Sequence, residues 1–113
     1  MCLRATADLL RRQFMRYCLE KLKEYDPTKP ILVCLPPQRI ETNNYQEQAN
    51  AVIKTIANSY SVPTLDLFHE SGIVSKEKIT TATYLSDGLH LDDNGKIMVG
   101  NLLSSAIKYY LII

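Results

Sequence analysis

The sequence predicts an α/β fold in which a parallel sheet is covered by helices. Two short apolar runs have the composition of buried strands, and three longer segments have helical periodicity. Strands and helices alternate along the chain, which is the order that builds parallel strands joined by helical crossovers. We therefore expect about two parallel strands and three main helices in one partial domain that spans residues 1–113.

Residues 6–24 form the first predicted helix. Its apolar residues recur at spacings of three and four, which predicts one face packed into the core. The members of this predicted face are Leu10, Phe14, Tyr17, Cys18 and Leu22. Two prolines, Pro27 and Pro30, end the helix because the residue before a proline is driven out of the α region.

The second and third helices are predicted over residues 44–59 and from Asp92 or Asp93 onward. Either aspartate has the side chain needed to cap the third helix. Each helix carries one amphipathic stripe. The stripe residues are Ala49, Val52, Ile53, Ile56, Ala57 and Tyr60 in one helix, and Val99, Leu102, Leu103, Ala106, Ile107 and Tyr110 in the other.

The two predicted strands are residues 31–35 and 61–67. The first is an unbroken apolar run that ends at Pro36-Pro37, a pattern typical of a strand buried on both faces. The second contains Pro63, which is tolerated at an edge or at the first residues of a strand. Residues 68–86 are predicted to be mostly loop, with one helical turn near residues 75–79.

Composition excludes several classes of function. The formal net charge is +1, from 13 basic and 12 acidic residues, so we expect neither a nucleic-acid partner nor an anionic membrane surface. No apolar run is long enough to span a bilayer, and residues 1–8 lack the pattern of a signal peptide. Three widely spaced cysteines fit neither a disulfide framework nor a zinc site, which favours free thiols in the cytoplasm.

The pair Asp87 and His90 is the strongest candidate for chemistry. A spacing of three in a tight turn can bring a carboxylate beside the imidazole Nδ1, which leaves Nε2 to take a proton from a nucleophile. Gly88 permits the sharp backbone path that such a turn needs. In an arbitrary chain, a turn aspartate and a surface histidine would be the better interpretation. Here the pair precedes a helix of an α/β domain, where ligand sites gather.

Tyr84–Leu91 with the following Asp92-Asp93-Asn94-Gly95 resembles the last block of the SGNH (GDSL-like) hydrolases, especially the isoamyl-acetate-hydrolysing esterase group. Residues 31–37 and 62–67 are similar to that family's last two strands. The resemblance implies the C-terminal part of a flavodoxin-like, three-layer α/β/α domain that hydrolyses carboxylic esters. It also implies that Asp87 orients His90 and that His90 is the general base.

The sequence departs from this family in the residues that attack the ester. None of its four glycines begins a Gly-Asp-Ser motif, and no asparagine is followed by aspartate as in the family's Gly-x-Asn-Asp block. We expect the missing blocks to lie upstream of residue 1. The chain alone is therefore expected to be inactive, to act on a small ester only when completed, and to need no cofactor or metal.

Other candidates carry less weight. We expect His69 to be a loop histidine with no ligand role, since its spacing to other residues matches no zinc pattern. Cys34 is a possible surrogate nucleophile for His90, but a small buried hydrophobic residue is the better interpretation. Ser71 and Ser75 lie in the loop before the Asp87–His90 block, and either could approach His90, but so could many loop serines.

The alternative to a hydrolase part is a non-enzymatic α/β module that binds a partner. A sheet of two strands has open edges, so we expect self-association through an exposed edge or binding to another chain.

Overall fold

The computed structural model describes residues 3–39, 45–75, 78, 84–85 and 90–112. In chain order its elements are α1 (Leu3–Tyr25), β1 (Val33–Leu35), α2 (Tyr45–Ser59), β2 (Thr64–Asp66), α3 (Leu67–Glu70) and α4 (Asp93–Tyr110). The two strands form one parallel sheet. The predicted α/β class, with two parallel strands and three main helices, is therefore confirmed.

The sheet is a β1–α2–β2 crossover unit. Val33 pairs with Thr64, Cys34 with Leu65, and Leu35 with Asp66. The ladder begins one residue earlier, where the Val33 N–H donates to the Pro63 carbonyl at 3.1 Å. Pro63 stands just before β2, which agrees with its predicted place at the first residues of the strand.

The hydrophobic core lies between α1, α2 and the sheet. Leu19, Ile56, Ala57 and Val62 form its buried centre, and Met15, Ile31, Val33, Val52 and Tyr60 pack around them. The predicted stripe of α2 is correct, since Ile56 is 5% exposed and Ala57 is fully buried. A single stripe on α2 leaves only one way to pack the helix against the sheet.

The predicted inward face of α1 is wrong for most of its members. Leu10, Phe14 and Tyr17, hereafter the outer stripe, are 60%, 69% and 60% exposed. Among the described side chains of α1, Leu19 is the buried one, and Met15 packs against the same core. The helix carries apolar residues on two faces, and α2 packs against the face that bears Met15 and Leu19. Periodicity alone does not distinguish the two faces.

The prediction that the first strand is buried on both faces is also wrong. Leu35 is buried and Val33 is half-buried, but Cys34 between them is exposed. Alternate residues of a strand point to opposite faces of the sheet. Val33, which shares a face with Leu35, packs against the core formed by α1 and α2, whereas the side chain of Cys34 points to the other face.

The segment after β2 differs from the predicted loop at its start. Residues Leu67–Glu70 form the one-turn helix α3, with Leu67 and Phe68 buried. Most of the predicted turn near residues 75–79 lies outside the described residues. The predicted start of the last helix is confirmed: Asp92 caps α4, and its side chain accepts a hydrogen bond from the Gly95 N–H at 2.7 Å.

The molecule is a thin slab, 45 Å by 45 Å by 16 Å, with a radius of gyration of 15.5 Å. A compact domain of this length has a radius of gyration of about 13 Å. The slab therefore exposes more surface than a closed domain of the same size. Of the helices in the described ranges, none combines the length and apolarity needed to cross a membrane.

Leu19→Ala and Phe14→Ala test which face of α1 is inside. We expect Leu19→Ala to lower the free energy of unfolding by about 2–5 kcal/mol, because it opens a cavity in the core. Phe14→Ala removes a larger side chain from solvent and should change that free energy by about 0.5 kcal/mol or less. Urea unfolding followed by circular dichroism measures both. Equal losses for the two variants would contradict the observed packing.

Candidate functional site

The carboxyl ends of the two strands lie side by side, because Leu35 pairs with Asp66. The chain leaves β1 through residues 36–39 and leaves β2 directly into α3. The start of α2 lies at this same edge, where the Gln46 side-chain N–H donates to the Pro37 carbonyl at 2.6 Å. Edges of this kind are where open α/β sheets bind their ligands.

A cleft of about 400 Å³ opens at this edge. It is lined by Pro36, Pro37, Gln38, Arg39, His90 and Leu91. The predicted base, His90, is therefore exposed in the wall of a cleft beside the end of β1. Asp87, the predicted partner of His90, lies outside the described residues, so the contact between the two side chains stays a prediction.

The backbone around the His90 segment is fixed from both ends. Leu85 and Leu91 form an antiparallel bridge, and the Asp92 N–H donates to the Tyr84 carbonyl at 2.8 Å. Tyr84 has a φ of 73°, a left-handed conformation that costs a tyrosine free energy. The bridge and this hydrogen bond hold the two ends of the segment together.

Gly95 allows the first turn of α4 to lie close to Tyr84. A Cβ at position 95 would collide with the Tyr84 carbonyl oxygen and come within 3.1 Å of the Tyr84 Cβ. The first turn of α4 can therefore approach residue 84 only because position 95 has no side chain. The glycine in the Asp92-Asp93-Asn94-Gly95 run thus has a steric reason to be there.

Gln38 connects the cleft to the segment after β2. Its side-chain N–H donates to the Phe68 carbonyl at 3.2 Å, and its side-chain oxygen accepts from the Ser75 N–H at 3.2 Å. Ser71 and Ser75 are both buried, and the Ser71 hydroxyl oxygen accepts from the Ile73 N–H at 3.1 Å. Neither serine belongs to the lining of the cleft.

A second Asp-x-x-His pair, Asp66 and His69, is formed in the structure. The buried Asp66 carboxylate lies 2.8 Å from His69 Nδ1, 3.1 Å from the His69 backbone N and 3.3 Å from Lys54 Nζ. Burial alone would raise the pKa of Asp66, but hydrogen bonds from His69 and Lys54 outweigh burial and hold that pKa below its usual range. The carboxylate therefore stays ionised at neutral pH.

The expectation that His69 lies in a loop is wrong, whereas its lack of a ligand role stays a prediction. His69 lies on α3, is half-exposed, and has its ring oriented by Asp66. Its other nitrogen, Nε2, lies 4.0 Å from the Glu47 carboxylate. The two carboxylates thus face opposite ring nitrogens, which prevents them from binding one metal ion together with the ring. Within the described ranges no three His, Cys, Asp and Glu side chains are arranged to hold a metal.

The sequence contains a pattern that indicates the contact between Asp66 and His69. The spacing is the same as in Asp87–His90, and it also falls at the end of a strand. Asp66 falls in the predicted second strand and His69 in the predicted loop, whereas in the structure Asp66 ends β2 and caps the helical turn that carries His69.

Cys34 does not behave as a surrogate nucleophile or as a buried hydrophobic residue. Its side chain is exposed, and it is not among the residues that line the cleft with His90. Partial desolvation raises the pKa of its thiol, so the reactive thiolate is scarce at neutral pH.

The chain matches no protein-family model and no curated protein. It is similar in structure to a crystal structure of a Lactobacillus plantarum protein from a structural genomics consortium, with 19% identity and a TM-score of 0.72. A second crystal structure is similar with 17% identity and a TM-score of 0.70. The matches cover 88% and 89% of this chain, which spans only 53% and 52% of those chains. At such identity the likeness shows the fold alone.

Gly95→Ala and Gly100→Ala form a matched pair within α4. We expect Gly95→Ala to destabilise the protein by about 1–3 kcal/mol, because the new methyl group collides with the Tyr84 carbonyl. Gly100 has open space around it, so alanine there should stabilise the helix by about 0.5–1 kcal/mol. Thermal unfolding measures both changes. A gain of stability in Gly95→Ala would contradict the close approach.

Proposed function

We propose that this chain is the C-terminal part of a serine ester hydrolase of the SGNH type and supplies the Asp87–His90 pair of its triad. The observation that carries the proposal is the place of His90. It lines a cleft beside the carboxyl end of β1 and comes just before the capped helix α4. This is the edge at which α/β folds assemble ligand and catalytic sites.

Two observations support a contact between Asp87 and His90. The bridge between Leu85 and Leu91 holds together the ends of the segment that contains both residues. Three residues of chain span at most about 11 Å even when fully extended, so closed ends favour a short separation. The identical spacing in Asp66–His69 yields a carboxylate–imidazole distance of 2.8 Å in this protein.

The proposed chemistry follows from the two groups. An ionised Asp87 would accept the Nδ1–H of His90 and hold the ring so that Nε2 faces a serine hydroxyl. Nε2 would take the serine proton during attack on the ester carbonyl and then pass it to the leaving alcohol. Water would complete the cycle and release the acid. The serine and the oxyanion hole must come from residues beyond these 113, because the family's motifs for both are absent here.

The substrate would be a small carboxylic ester, with no cofactor, no metal and no nucleic-acid partner. The location would be cytoplasmic, because three widely spaced cysteines fit free thiols.

A second candidate function is a non-enzymatic module that binds a partner chain or another copy of itself. The outer stripe of α1 favours it, because three large apolar side chains are more than half exposed along one face. No strand of the described residues pairs with the outer edge of β1, and this edge would supply further backbone contacts.

One experiment distinguishes the two candidates. The chain is joined to an upstream α/β segment that bears a Gly-Asp-Ser motif, and labelling by a fluorophosphonate probe is measured. A hydrolase part should gain labelling and hydrolysis of p-nitrophenyl acetate, and His90→Ala should lower the rate by about a thousandfold or more. His69→Ala is the matched control and should change the rate little, because His69 does not line the cleft.

The chain by itself should give no measurable turnover of p-nitrophenyl acetate. Labelling that never appears in the joined protein would favour the binding module. Labelling that survives His90→Ala unchanged would remove His90 from the proposed chemistry.

A further inference from the structure

The cleft that contains His90 has few polar groups left to offer a ligand. Both ends of the Gln38 amide are bonded within the protein, to the Phe68 carbonyl and the Ser75 N–H. The Pro37 carbonyl accepts from Gln46 at 2.6 Å. Pro36 and Pro37 have no backbone N–H to donate. The rings of both prolines and the side chain of Leu91 make the rest of the lining apolar.

Arg39 is the charged group of this lining. It is exposed, and no carboxylate among the described side chains lies within ion-pair distance of it. Among the residues that the structure describes, no aspartate or glutamate lines the cleft. A guanidinium presents five N–H donors in a planar fork that matches the geometry of a carboxylate. The described part of the cleft therefore combines apolar walls, the Arg39 cation and the His90 imidazole.

We propose that the cleft selects an ester that also carries a carboxylate, and that Arg39 is the residue that determines this specificity. The carboxylate binds the Arg39 guanidinium, the short carbon chain packs on Pro36, Pro37 and Leu91, and the ester group faces His90. This inference rests on the proposed ester hydrolase function for its substrate class. The charge preference of the cleft follows from the lining itself and is measurable without catalysis.

The test is a binding titration on the intact chain, followed by NMR of the two histidine rings. The probe is monomethyl succinate, which carries one ester and one carboxylate. The control ligand is dimethyl succinate, which has nearly the same shape and no charge. Because the chain has two histidines, His90 reports on the cleft and His69 serves as the internal reference.

We expect the charged ester to shift the His90 signals and to bind about fivefold more tightly than the neutral one. Arg39→Gln should abolish that preference, and Arg39→Lys should retain part of it. Arg12→Gln should leave the preference intact, because Arg12 lines a separate groove between α1 and α2.

Equal affinity for the two esters, no shift of His90 with either, or a preference that survives Arg39→Gln would each overturn the inference. The binding preference and the hydrolase proposal can be tested independently of each other. If Arg39 determines a preference for the charged ester but the chain joined to the upstream segment is not labelled by the fluorophosphonate probe, the binding site is supported and the hydrolase function is contradicted. Labelling without any charge preference would retain the enzyme and refute the role of Arg39.

Discussion

The parallel pairing of β1 with β2 is the constraint on which the rest of this structure depends. Each strand has three residues, far too few to be stable without packing from other elements. Part of that packing comes from α2, which crosses between the strands and buries Ile56 and Ala57 against Val62 and Leu19. Because Leu35 pairs with Asp66, the segments that follow the two strands begin at the same edge of the sheet.

At that edge, polar side chains join the elements beside the buried apolar residues Leu35, Leu67 and Phe68. Asp66 joins the end of β2 to α2 through Lys54 and to α3 through His69. Gln38 joins the exit from β1 to the segment after α3. Gln38 lines the cleft with His90, so its hydrogen bonds to the Phe68 carbonyl and the Ser75 N–H help to fix that wall of the cleft. In the proposed specificity, Arg39 is the group of the described lining that binds the carboxylate of the ligand.

The sequence predicts the order of elements, the parallel sheet, the stripe of α2 and the Asp92 cap, because each follows from a local pattern. The sequence does not predict which face of a helix or strand is buried when that depends on the element that packs against it. Phe14 and Leu19 sit on two apolar faces of one helix, and only the position of α2 decides which face is inside. Cys34 lies in an apolar run, yet the covering helices lie against the face of Val33 and Leu35. The periodicity of the sequence does not predict the contact of His69 with Asp66, because the single helical turn directly after β2 is too short to show a periodic pattern.

The contact between Asp87 and His90 is the central claim of this account, and the nitrogen chemical shifts of the two histidine rings test it most directly. Measured where both rings are neutral, His90 should carry its proton on Nδ1, as His69 should beside Asp66. Asp87→Asn should move the ring signals of His90 and leave those of His69 in place. A His90 ring with its proton on Nε2, unchanged by Asp87→Asn, would contradict the assignment of these residues as an acid–base pair.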